Sequence, residues 1–159
     1  MKLYLAGPDV FRPDALAWAD AARAQVAVAG HQALVPLDNE ESTAAGIYRA
    51  NLALIAEADA VLANLNPFRG LEPDSGTCFE VGYALALGKR VVAYLADARP
   101  QAEKLLAPLG PFSERDGRLY DRTGWGVEHF GLPVNLMLGA SCTVVEGDLG
   151  QALAALNAA

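Results

Sequence analysis

Short strand-like runs alternate with helical stretches along most of the chain, and this alternation limits the fold more than any other feature. The helical stretches run approximately over residues 14–29, 43–58, 77–87 and 149–156. The strand-like runs are 2–6, 33–35, 60–65, 90–95 and 142–145. Strands that alternate with helices of this length form parallel βαβ units covered on both faces. The pattern therefore predicts a three-layer α/β sandwich with a five-stranded, mainly parallel sheet, as one domain over residues 1–159.

One long segment departs from this alternation. From about residue 97 to residue 131 the chain is rich in proline, glycine and mixed charge. Loops of this length inside a compact domain usually serve as lids, contact surfaces or disordered segments. We therefore predict a long loop or flap there.

Charge and composition exclude several classes of function. The formal net charge is −7 and the 12 Lys and Arg residues are scattered, whereas nucleic-acid binding needs clustered cations. No apolar run reaches the roughly 18 residues that span a bilayer, and the start of the chain shows no export signal. With two cysteines that suit free thiols, we expect a soluble cytoplasmic protein without nucleic-acid or membrane partners.

Common cofactor and metal motifs are missing from the sequence. Neither the Gly-x-Gly-x-x-Gly motif nor the Gly-x-x-x-x-Gly-Lys-Ser/Thr motif occurs. His31 and His129 are far apart and have no ligands at metal spacing. We therefore expect no metal and no cofactor.

Acidic side chains collect in the loops that follow the predicted strands. Ligands of open parallel sheets bind at the carboxyl ends of the strands, and Asp38, Glu40 and Asp74 all fall in such loops. Paired carboxylates without a metal suit chemistry at a glycosidic carbon. Solvated loop charge and a magnesium site are the alternative interpretations.

The run from Asp74 to Gly82 places two carboxylates six residues apart at the start of a helix. We predict that Glu80 lies in the first turn, where the helix dipole keeps it ionised at neutral pH, as a nucleophile must be. The structural alternative is a capping box formed by Thr77 and Glu80.

Five segments in chain order together resemble the nucleoside 2-deoxyribosyltransferases. They are YLAGP (4–8), PLDNE (36–40), NPFRG (66–70), EPDSGTCFEVG (72–82) and GLPVNLM (131–137). The resemblance covers nearly the whole chain. It implies a flavodoxin-like domain that moves a 2′-deoxyribosyl group between nucleobases with retained configuration.

The resemblance also implies roles for three catalytic residues. Glu80 matches the nucleophile that attacks C1′ of a deoxynucleoside, and Tyr4 matches the tyrosine that holds it. Asp74 matches a loop aspartate that serves the base or the 5′-hydroxyl by orientation or proton transfer.

Seven further positions are expected to bind substrate. They are Gly7, Asp38, Glu40, Asn51, Gly76, Asn135 and Met137. Many family members place an aspartate at the position of Asn51, and an amide cannot act as a general acid. Asn135 and Met137 match residues that reach into the site of a neighbouring subunit, which implies a homo-oligomer, a hexamer or a dimer, with shared sites. Plain core packing is the alternative for that apolar segment.

The implied ligands are deoxynucleosides and free nucleobases, with a preference for purines. One rival function is hydrolysis of a 2′-deoxynucleoside 5′-monophosphate by an N-glycosidase, with Arg12 and Arg69 as candidate phosphate ligands. A second rival is a non-catalytic nucleotide-binding module.

Overall fold

The computed structural model describes residues 1–158, so Ala159, the last residue of the expected domain, lies outside the described residues. The strands are β1 (Lys2–Ala6), β2 (Gln32–Leu34), β3 (Ala60–Asn64), β4 (Arg90–Leu95), β5 (Ser113–Arg115), β6 (Arg118–Tyr120), β7 (Gly126–Val127) and β8 (Thr143–Glu146). The helices are α1 (Ala15–Val28), α2 (Ala44–Glu57), α3 (Ser75–Ala86), α4 (Gln101–Leu109), α5 (Leu136–Gly139) and α6 (Leu149–Asn157).

Five strands form the central sheet in the order β2-β1-β3-β4-β8. Every neighbouring pair in this sheet is parallel. The prediction of a five-stranded parallel sheet is thus confirmed, and the order is that of flavodoxin-like folds. The strand order reverses between β1 and β3, and ligands of such sheets bind beside that point.

Alternate residues of each strand face opposite layers of the fold. Leu3 and Leu5 of β1 pack in a core with α1 and α6. Tyr4 and Ala6 pack in a second core with residues of α2 and α3. This alternation follows from the two-residue period of a strand. It directs the side chain of Tyr4 to the face of the sheet that α2 and α3 cover.

The segment 97–131 is more ordered than its composition predicts. It contains α4 and a three-stranded antiparallel sheet in the order β5-β6-β7, so the expectation of a long loop or flap is wrong. Asp116 and Gly117, which join β5 to β6, both have positive φ, 51° and 71°. An Asp-Gly pair in this conformation is a common hairpin turn, and it was the overlooked signal.

Within residues 1–158, none of the helices is both long enough and apolar enough to cross a bilayer.

Candidate active site

A pocket of about 400 Å³ opens at the carboxyl edge of the sheet, beside the point where the strand order reverses. The loops after β1 and β2 form one side, and α2 with the start of α3 forms the other. The lining residues are Gly7, Val10, Phe11, Pro36, Leu37, Asn39, Glu41, Ile47, Asn51, Asp74, Gly76, Thr77 and Glu80. The structure therefore brings together most of the residues singled out from the loops and from α3.

Glu80 lies on α3 and is one of the residues that line this pocket. Its Oε1 accepts a hydrogen bond of 2.6 Å from the hydroxyl of Tyr4 on β1. Tyr4 is fully buried, and Glu80 is the partner that its hydroxyl needs. The Oε2 atom makes no hydrogen bond with the described residues. One oxygen is thus held while the other is available to a ligand.

The helix that carries Glu80 begins two residues earlier than predicted. Asp74 is its N-cap, because Asp74 Oδ2 accepts hydrogen bonds from the backbone N–H of Thr77 at 2.9 Å and from its hydroxyl at 3.1 Å. Glu80 consequently lies in the second turn, so both the first-turn placement and the capping box of Thr77 with Glu80 are wrong. Asp74 takes the cap because its short carboxylate reaches the free N–H groups directly.

Burial raises the pKa of Glu80 from 4.5 to about 7. The negative charge of Asp74 also raises this pKa, whereas the hydrogen bonds from Tyr4 and Asn51 lower it. The expectation of a fully ionised carboxylate at neutral pH is therefore wrong, because loss of water around Glu80 outweighs the helix dipole. Near pH 7 both the protonated and the ionised forms are populated.

Asn51, on α2, approaches the same carboxylate from a different element. Its Nδ2 donates a hydrogen bond of 3.4 Å to Glu80 Oε1. Its Oδ1 is buried and has no hydrogen-bond partner among residues 1–158. Asn51 thus contacts the candidate nucleophile. It also lines the pocket, and its expected contact with substrate stays a prediction.

Gly7 and Gly76 lie where the backbone passes close to other groups of the site. A Cβ atom on Gly7 would be 2.9 Å from the Cβ of Asn64, a distance that carbon atoms do not tolerate. A Cβ atom on Gly76 would be 3.0 Å from Asp74 Oδ2. Both glycines border the pocket and leave space there.

Two residues expected in the site point elsewhere. Asp38 accepts a hydrogen bond from the backbone N–H of Val35 at 2.8 Å and pairs with Arg23. It does not line the pocket, and its contact with substrate stays a prediction. Glu40 is exposed and does not line the pocket either, so its contact with substrate also stays a prediction.

The next residue, Glu41, lines the pocket in place of Glu40. The backbone N–H of Glu41 donates a hydrogen bond of 3.1 Å to the side-chain oxygen of Asn39. This bond closes a turn of the chain at Asn39. Asparagine is a common turn former of this kind, and it was the available sequence signal.

Sequence reasoning also missed the apolar wall of the pocket, to which Phe11 and Ile47 contribute. The ring of Phe11 stacks on Phe68, with centroids 5.4 Å apart. The guanidinium of Arg69 lies 5.1 Å from the ring centre of Phe11 and 4.6 Å from that of Phe68. Phe11 thus brings an aromatic side chain to the pocket wall and is itself packed against Phe68 and Arg69.

Asn135 and Met137 do not line the Glu80 pocket of their own chain. They border a separate groove along α3, which includes Cys78 and Val81. Met137 is 72% exposed. That these two residues reach into the site of a neighbouring subunit stays a prediction.

Basic side chains are missing from the described lining of the Glu80 pocket. Arg12 pairs with Asp14 at 2.9 Å, and Arg69 lies over the two phenylalanine rings. In the part of the chain that the structure describes, no three His, Cys, Asp or Glu side chains are grouped to hold a metal ion. The pocket therefore offers three carboxylates, Glu41, Asp74 and Glu80, set in apolar walls.

Comparison with known sequences gives two matches. The family model described as nucleoside 2-deoxyribosyltransferase matches residues 3–137. An uncharacterised protein of Schizosaccharomyces pombe, C191.05c, is 33% identical over 134 residues, which cover 78% of this chain. The chain spans 58% of the length of that curated relative.

Comparison with solved structures gives a match along almost the entire chain. A 2-desoxiribosyltransferase from Leishmania mexicana has a TM-score of 0.81 and 38% identity, and the match covers 98% of this chain and 95% of that one. The CMP N-glycosidase BcmB of Clostridium botulinum has a TM-score of 0.55 and 15% identity over 100% of both chains. The second likeness concerns the fold alone.

Proposed function

Because this chain belongs to the nucleoside 2-deoxyribosyltransferase family, we propose that it transfers a 2′-deoxyribosyl group between nucleobases, with Glu80 as the nucleophile. One observation carries the proposal: Glu80 is a partly buried carboxylate that lines a ligand-sized pocket, its Oε1 is held by Tyr4, and its Oε2 has no hydrogen-bond partner among the described residues. A fixed nucleophile with one available oxygen is the arrangement that covalent catalysis requires.

In the first step, a Glu80 oxygen attacks C1′ of the bound deoxynucleoside. A C–O bond forms, the C1′–N glycosidic bond breaks, and the bonding electron pair leaves with the base. The departing base takes up a proton, which neutralises it. The product is a deoxyribosyl ester of Glu80 and a free base.

In the second step, a nitrogen of the incoming base attacks C1′ from the side that the first base vacated. A new C–N bond forms, the ester C–O bond breaks, and the incoming base loses a proton. Two inversions at C1′ restore the original configuration. The Glu80 carboxylate is regenerated for the next cycle.

The proton for the leaving base needs a source other than Asn51, because an amide is not an acid at this pH. Asp74 and Glu41 both line the pocket, and each is a carboxyl group that can carry a proton between the two bases. Water is the third source. Variants with glutamine or asparagine at each position, assayed for base release, separate these routes.

The charges of the pocket favour a nucleoside over a nucleotide. A 5′-phosphate would enter a pocket lined by three carboxylates, and among the described lining residues it would find no cation. Repulsion between like charges disfavours such a complex. The observation supports a neutral 5′-hydroxyl and speaks against the nucleotide N-glycosidase.

A preference for purines is part of the proposal. It is supported by the resemblance of the segment 67–74 to purine-exchanging relatives and by apolar walls at Phe11 and Ile47 that suit a large planar base. Exchange measured with adenine, hypoxanthine, cytosine and thymine as acceptors tests the preference directly. Equal rates with all four bases contradict it.

We also propose that the active form is a homo-oligomer in which Asn135 and Met137 complete a neighbouring site. The exposure of Met137 at a groove lined by apolar residues supports this assignment. The test mixes two inactive variants, Glu80→Ala and Asn135→Ala, after dissociation and reassembly. Recovery of activity in the mixture supports shared sites, and its absence contradicts them.

The decisive assay incubates the protein with deoxyinosine, with and without free adenine. Formation of deoxyadenosine that depends on adenine supports transfer. Equal release of hypoxanthine in both reactions supports hydrolysis instead. If the wild type neither releases hypoxanthine nor forms deoxyadenosine, and Glu80→Ala still binds deoxyinosine, the protein is a binding module.

A further inference from the structure

Asn51 joins α2 to the catalytic carboxylate on α3. Glu80 Oε1 accepts both protein hydrogen bonds, from Tyr4 at 2.6 Å and from Asn51 at 3.4 Å. The second bond is long, as bonds between catalytic groups often are before substrate binds. Because both donors use the same oxygen, Oε2 is left for reaction.

The other end of the Asn51 amide has no such partner. Oδ1 is buried and makes no hydrogen bond within residues 1–158. A buried acceptor without a donor destabilises the folded state. An apolar side chain of similar size would avoid this cost, so stability alone does not explain an asparagine here.

We propose that Asn51 is a positioning residue, whose amide holds the Glu80 carboxylate together with Tyr4 and favours its ionised form. This inference rests on the proposed function, in which Glu80 is the nucleophile. It assigns Asn51 to the nucleophile and not to the proton transfer at the base.

The charges around Glu80 explain why an amide suits this position. Tyr4 donates a hydrogen bond from β1, Asp74 adds a negative charge from the start of α3, and Glu41 also lines the pocket. A further carboxylate in place of Asn51 would oppose ionisation of Glu80. The amide instead donates a hydrogen bond to the carboxylate without adding charge.

The amide also has a partner in the other protonation state. After a half turn of the amide group, Oδ1 would face Glu80 Oε1 and could accept a hydrogen bond from the protonated carboxyl. Neither leucine nor an ionised aspartate can pair with both forms. Asparagine therefore fits a carboxyl group that changes its protonation near neutral pH.

The test measures the pKa of Glu80 directly, by ¹³C NMR of the glutamate side-chain carboxyl groups over pH 4–10. The Glu80 signal is assigned from its absence in Glu80→Gln. In Asn51→Leu we expect this pKa to rise by roughly one pH unit, because a hydrogen bond to the charged form is lost. In Asn51→Asp we expect a larger rise, since a like charge is added.

The kinetic counterpart is kcat/KM for base exchange across the same pH range. A rise of this size lowers kcat/KM of Asn51→Leu about tenfold at pH 6 and much less at pH 9. Ala53→Leu is the matched control, because it adds leucine at an exposed position of the same helix. Its pKa and pH profile should equal those of the wild type.

The thermal midpoint separates positioning from a structural role. We expect Asn51→Leu to keep or raise the midpoint, because the unpaired oxygen is removed. A folded Asn51→Leu with an unchanged Glu80 pKa overturns the inference. Since the NMR titration needs no turnover, a shifted pKa in a protein that exchanges no bases upholds the role of Asn51 and refutes only the proposed function.

Discussion

Replacement of Glu80 by glutamine should stabilise the protein at alkaline pH while it abolishes base exchange. The carboxylate is partly buried, and its pKa is raised from 4.5 to about 7. The ionised form is therefore less stable in the folded protein than in the unfolded chain. Glutamine keeps the size of the side chain and an oxygen that can accept the hydrogen bond from Tyr4, but it carries no charge.

The difference between the two pKa values sets the magnitude of this effect. A pKa that is 2.5 higher in the folded state (7 − 4.5) corresponds to about 3 kcal/mol. Because the folded state binds more protons than the unfolded state between pH 4.5 and 7, the wild type loses this stability as the pH rises through that interval. It is present in full below pH 4.5 and absent well above pH 7.

Urea unfolding at pH 4.5 and pH 8.5 measures the effect. The two proteins should have nearly equal unfolding free energies at pH 4.5, and Glu80→Gln should be more stable by about 3 kcal/mol at pH 8.5. The thermal midpoint should rise by roughly 6–12 °C at the higher pH. Glu114→Gln, at an exposed glutamate of β5, is the matched control and should change little.

Two results would refute the reasoning. A Glu80→Gln variant no more stable than the wild type at pH 8.5 would mean that the folded protein tolerates the charge. An equal gain at both pH values would mean that the effect is unrelated to ionisation.

Three other substitutions probe the same site. Tyr4→Phe removes a hydrogen bond that lowers the pKa of Glu80, so the rise of kcat/KM with pH, centred near pH 7 in the wild type, should move to higher pH; an unmoved profile contradicts this. Asp74→Ala removes the N-cap of α3 and should lower the unfolding free energy by about 1 kcal/mol in urea titrations. Its kcat/KM for base exchange should fall by more than this loss of stability explains. Gly7→Ala brings a methyl group against Asn64 and should cost roughly 1–3 kcal/mol, whereas Gly70→Ala, where a Cβ meets open space, should cost much less.

For Glu40 and Glu41, the local sequence predicts that the loop belongs to the ligand-binding edge, but it does not predict which of the two side chains lines the pocket. Both are acidic residues in the loop after β2, and the sequence marks that loop as part of the ligand edge. In the structure Glu41 lines the pocket and Glu40 is exposed, next to a turn in which the backbone N–H of Glu41 donates a hydrogen bond to the side chain of Asn39. A shift of one residue in a turn reverses the direction of a side chain, and motif spacing alone does not resolve it.

The start of α3 illustrates the same limit for a helix. From the sequence we expected the helix to begin at residue 77, with a capping box of Thr77 and Glu80 as the structural alternative. In the structure Asp74 is the N-cap, and its Oδ2 accepts hydrogen bonds from both the backbone N–H and the hydroxyl of Thr77. Glu80 moved into the second turn as a result.

The sequence by itself indicated the alternation of strands and helices that builds the parallel central sheet, and its motifs pointed to Glu80 as the candidate nucleophile. These follow from the periodicity of apolar residues and from motifs, which are properties of neighbours along the chain. Only the tertiary structure decided that Asn51 and Tyr4 share one oxygen of Glu80, and that the pKa of Glu80 is raised to about 7. The reason is that burial and pairing depend on residues from β1, α2 and α3 that meet only when the sheet and its helices are assembled.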